Sequence, residues 1–120
     1  MSIPIQIDLA ATTAGDKWQG IAAIGPVLIN DAQPEFPLSR VKMQFRRGGK
    51  LGVTFDSESG DSLPIVISNA TTWLAHVPEV QPLPLETGTW QWDMEFWQGD
   101  DAAPLTFYRG VLTVLPQITK

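Results

Sequence analysis

Between Gly88 and Trp97 the chain places a large apolar side chain at every second position, Trp90, Trp92, Met94 and Phe96, with Gln91, Asp93 and Glu95 between them. Successive side chains of a strand point to opposite faces, so this period of two predicts a strand with one buried and one outward face. Trp97 falls on the outward side, either as an exposed anchor for a partner or as a ring tucked under the following loop. After a turn-rich gap, Leu105 to Val114 reads as the antiparallel partner strand. Facing residues of antiparallel strands share a face, so the apolar patterns coincide when Trp90, Trp92 and Met94 oppose Leu112, Gly110 and Tyr108. The same register sets Asp93 against Arg109 and brings Phe107 beside Glu95 and Leu105 beside Trp97. An outward face carrying Trp97, Leu105, Phe107 and Val111 is more apolar than solvation requires, which makes these four a candidate partner-contact face, broken by Asp93, Glu95 and Arg109.

The same alternation recurs upstream. Val41, Met43 and Phe45 alternate with Lys42 and Gln44, and Leu51, Val53 and Phe55 follow after Arg47-Gly48-Gly49, a hairpin whose glycines allow the positive φ of a tight turn. Further strands are predicted at Ile3 to Leu9, Lys17 to Ile24, Leu63 to Ser68 and Thr72 to Val77, separated by small polar turn formers. Pro78 to Leu85 holds three prolines and reads as a crossing loop with room for one helical turn. Ten glycines and ten prolines in 120 residues are more than a helical bundle tolerates. The expectation is one all-β domain over residues 1–120, an immunoglobulin-like antiparallel β-sandwich of seven to nine strands.

Composition narrows the function by exclusion. With no cysteine there is no disulfide or thiolate metal site, and a net charge of −5 with scattered Lys and Arg disfavours nucleic acid. The longest apolar run without charge, Ile21 to Ile29, is far short of a membrane span, and Met1-Ser2-Ile3-Pro4 lacks a signal core. His76 is the sole histidine, with no second ligand and no marked nucleophile, so it reads as an ordinary sheet residue. The acidic run Asp56 to Asp61 lacks the glutamate a calcium loop needs at its twelfth position, where Ile67 stands, and reads as a solvated turn. Asp100-Asp101 reads as a hairpin loop. Neither catalytic, cofactor-binding nor metal-binding residues are expected.

The ordered set Gly15-Asp16-Lys17-Trp18, Val41 to Arg46, Ile65-Val66-Ile67, Gly88 to Glu95 and Arg109 to Val114 before Pro116 resembles small immunoglobulin-like virion proteins of tailed phages and prophages, related to the N-terminal domain of baseplate upper proteins. The resemblance spans about residues 15–119, with Trp90 and Trp92 standing where tyrosine is expected. It implies a non-enzymatic tail or baseplate protein, made in the bacterial host cytoplasm and resident in the virion, that docks on other virion or tail proteins or on further copies of itself. With no coiled-coil or fibre segment before Lys120, it further implies a stand-alone module or adaptor. The alternative is a carbohydrate-binding β-sandwich module, which would need two or more coplanar exposed aromatic rings; a small hydrolase would need His76 paired with Ser or Asp inside a pocket.

Overall fold

The structure, a computed structural model, describes residues 5–29, 31–58, 62–99 and 103–116. Its strands are β1 (Ile5–Gln6), β2 (Thr12–Thr13), β3 (Ile21–Ile24), β4 (Leu38–Arg47), β5 (Lys50–Asp56), β6 (Leu63–Pro64), β7 (Val66–Asn69), β8 (Leu74–Val77), β9 (Gly88–Gln98) and β10 (Leu105–Leu115). The fold is all-β, without a helix among the described residues. The larger sheet runs β1-β10-β9-β4-β5-β6, with β2 also on β10, and the smaller runs β3-β8-β7.

Both sheets feed one core. The period of two places Val41, Met43 and Phe45 of β4 and Trp90, Trp92, Met94 and Phe96 of β9 on the buried face of the large sheet, while Ile24, Ala75 and Val77 enter from the small one. Two aromatic groups anchor it. Trp18, Phe45 and Phe55 meet at centroid distances of 5.7–6.2 Å; Trp73, Phe96, Phe107 and Tyr108 form the other group, with Trp73 stacked on Phe96 at 6.0 Å.

Several elements differ from the sequence pattern. The predicted strand from Lys17 begins only at Ile21, because Trp18 makes a single bridge to Val80 of the Pro-rich loop. That loop carries no helical turn. The segment from Leu63 splits at buried Ile65, where the chain passes from the large sheet to the small one. Trp73 lies in the turn before β8, at φ 60. Regular strand covers only Ile5–Gln6 of the expected first strand, although the Ile7 and Leu9 amides continue to bond the Arg109 and Val111 carbonyls of β10; Ile3 and Pro4 lie outside the described residues. Thr12–Thr13, read as turn, instead joins β10 in parallel, as β1 does.

The β9–β10 register matches expectation from Leu112 opposite Trp90 to Tyr108 opposite Met94, including Arg109 opposite Asp93. Beyond Tyr108 it fails. A bulge between Thr106 and Tyr108 sets Glu95 opposite Thr106 and Phe96 opposite Leu105. The extra residue lets Phe107 and Tyr108 both turn inward, where they are 7% and 6% exposed.

Candidate functional site

The three longest strands, β4, β9 and β10, lie side by side and share one outward face. The register arranges it in rows: Arg46, Gln91 and Val111; then Gln44, Asp93 and Arg109, continued by Gln6 on β1; then Lys42, Glu95 and Thr106. A shallow groove of about 450 Å³ runs over the first two rows. Along β4 the face is cationic, with Arg40, Lys42 and Arg46, whereas along β9 it is acidic, with Asp93 and Glu95. Adjacent rows nevertheless remain uncommitted: among the described residues Lys42, Asp93, Glu95 and Arg109 form no ion pair. Arg46 Nη2 donates to Gln44 Oε1 at 2.7 Å.

At the start of β4 one cation is fully engaged. Arg40 grips Asp56 through Nε to Oδ1 at 3.1 Å and Nη2 to Oδ2 at 2.6 Å, and its Nε lies 3.0 Å from Glu58 Oε1. Its guanidinium also covers the Trp97 ring, 4.7 Å from the centroid. Asp56 is thus a buried partner, 8% exposed, and not part of a solvated turn. Burial acts most strongly on Asp56 and opposes its charge, yet the Arg40 hydrogen bond, the Glu58 amide and the charges of Arg40 and Lys42 together outweigh it and hold the carboxyl below its ordinary 3.8. A lowered pKa contributes stability that is complete above the unfolded value and drains away as the pH falls through the folded one. The urea midpoint should therefore drop as the pH falls below about 4, and Asp56→Asn should flatten that limb while lowering stability at pH 7. An unchanged acid limb in the variant would contradict the assignment.

Of the four sequence-derived contact residues, only Trp97 and Val111 lie on this face. Phe107 is core, a correction forced by the bulge. Leu105, opposite Phe96 and not Trp97, is exposed at the strand's beginning. Trp97 is on the outward face, half-buried beneath Arg40, and Val111 is half-buried at the groove. Sequence reasoning missed the Arg40 clamp, although carrying the β4–β5 register two residues past Lys42 and Asp56 sets Arg40 opposite Glu58.

Other candidates carry less chemistry. His76 Nδ1 lies 2.8 Å from Ser68 Oγ, but the pair is at the surface of the small sheet and does not line the groove. No cluster of three or more His, Cys, Asp or Glu able to hold a metal occurs among the described residues. Residues 59–61 of the acidic run, and Asp100-Asp101, lie outside the described residues. Trp18, Trp73, Trp90 and Trp92 are buried, so they offer no platform for a sugar ring.

The sheet edges are poorly shaped for adding a strand. β1, β2 and β6 are two residues long, and β3 and β7 each carry a pairing irregularity. Short or bulged edges discourage strand addition, which leaves faces and loops as the better contact surfaces. No family model matches the chain, and neither a curated protein nor a solved structure matches it.

Proposed function

We propose that the protein is a non-enzymatic structural adaptor of a phage or prophage tail or baseplate, with an immunoglobulin-like sandwich that docks on neighbouring virion subunits. The topology supports the immunoglobulin-like part of this reading. A sheet of β10-β9-β4-β5 lies over β3-β8-β7, with the N-terminal segment parallel to the last strand, which resembles the two-sheet division of immunoglobulin domains. The single observation that carries docking is the broad outward face of β4, β9 and β10, on which Lys42, Asp93, Glu95 and Arg109 form no ion pair among the described residues. Such a face is suited to recognising another protein through complementary charge.

Mass spectrometry of tailed particles purified from the source strain tests the reading. The protein is expected in a fixed number of copies per particle, and deletion of its coding sequence should give particles with incomplete tails. Recovery only from the host's soluble fraction, with intact tails after deletion, would contradict it.

A further inference from the structure

We infer that the outward face of β4 and β9 docks against the same face of a second copy of this chain. This deepens the docking reading and rests on it, because it names the occupant of that face.

The order of charge across the face selects its occupant. On β4 the outward positions Lys42 and Arg46 flank Gln44, beyond the engaged Arg40, and on neighbouring β9 the outward positions include Asp93 and Glu95. The face therefore carries two stripes of opposite sign, side by side. Two such faces, stacked with strands nearly aligned and related by a two-fold axis running along the β4–β9 boundary, bring each β4 over the partner's β9. Each cationic stripe then meets an acidic one. Lys42 lies over the partner's Glu95, and Gln44 and Arg46 reach into the groove floored by the partner's Asp93 and Gln91. The charges are free to do this: Lys42 and Glu95 face each other in register within one chain without forming an ion pair. Neither stripe is complementary to itself, so the two-fold arrangement is the one that satisfies both at once. A standard interface takes about 800 Å² from each partner, about a ninth of the 7164 Å² surface. With Val111 and Trp97 as its main apolar groups, the contact is dominated by charge and hence salt-sensitive.

Charge reversal of the full-length chain tests this by sedimentation. The wild type is expected to dimerise in about 10 mM salt, with affinity falling at least about tenfold in about 1 M salt. Lys42→Glu and Glu95→Lys should each be monomeric. An equimolar mixture of the two should form heterodimers, and the double variant should dimerise again, because both restore opposite signs across the axis. Circular dichroism melts confirm that each variant is folded; if one is not, the wild-type salt series and the double variant still decide the matter. A wild type that stays monomeric in low salt, or a dimer that survives both single reversals, would overturn the inference. A monomer that is still incorporated into particles would remove self-association and leave the adaptor role standing.

Discussion

Trp73→Ala, in the turn that leads into β8, is expected to lower the folding free energy by about 3–5 kcal/mol. The indole is fully buried, stacks on Phe96 at 6.0 Å, meets Phe107 edge-on at 5.9 Å and donates Nε1–H to the Phe36 carbonyl at 2.8 Å. It does so from a backbone at φ 60, a conformation that costs a non-glycine residue about 1–3 kcal/mol and is held only because the surrounding contacts over-determine it. Trp73→Gly removes the same packing but relieves that backbone, so it should be less damaging than Trp73→Ala by about 1 kcal/mol. For a chain of this length each kcal/mol shifts the melting temperature by about 4 °C, so Trp73→Ala should melt more than about ten degrees lower. Equal melting temperatures for Trp73→Ala and the wild type would refute the placement.

Gly110→Ala is expected to detach the N-terminal segment from the large sheet. A Cβ built on Gly110 would sit 1.6 Å from the Ile7 carbonyl oxygen and 3.0 Å from Trp92 Nε1. The first obstacle is backbone, which cannot rotate aside, so either β1 leaves or β10 bends. Detachment loses the Ile7 N–H to Arg109 O bond at 2.7 Å and the Leu9 N–H to Val111 O bond at 3.0 Å. Overpacking and two lost hydrogen bonds together cost about 2–5 kcal/mol. Hydrogen exchange should show the Ile7 and Leu9 amides opening while those of Met94 and Leu112 stay protected. Native protection at Ile7 in the variant would contradict this. Trp92 Nε1 is the one buried side-chain polar atom without a partner among the described residues, so this junction is already tight and imperfectly satisfied.

The sequence pattern and the structure agree where periodicity is local. Trp90, Trp92, Met94, Val41, Met43 and Phe45 lie in the core as their alternation requires, and the register from Trp90–Leu112 to Met94–Tyr108 follows from matching two apolar patterns. Agreement ends at the bulge, since an unpaired residue is invisible to a strict period of two. The adjacent aromatics Phe107 and Tyr108 were its available signal: one face of a regular strand cannot bury both. Trp73 eluded the pattern for another reason. A large ring at positive φ defies local preference, and only tertiary packing sustains it. Thr12–Thr13 looked like a turn because its pairing partner, β10, lies about a hundred residues away in the chain. Asp56 looked solvated for a similar reason, its neutralising arginine being supplied from the strand beside it. The opposed stripes of β4 and β9 were legible as alternation, but their adjacency is a property of the assembled sheet.

Carboxyl labelling decides whether this domain works in an assembled particle by burying the outward face of β4 and β9. Purified tailed particles and the dilute free protein would be treated with a carbodiimide and a nucleophilic amine, and modification read by mass spectrometry at each acidic residue. Asp93 and Glu95 are predicted to be labelled in the dilute protein and protected in the particle, while exposed Glu79 of the Pro-rich loop, outside the β4–β9 face, serves as the reference within the same chain. Labelling of Asp93 and Glu95 at the same rate in both states, in particles shown to contain the protein, would contradict the account.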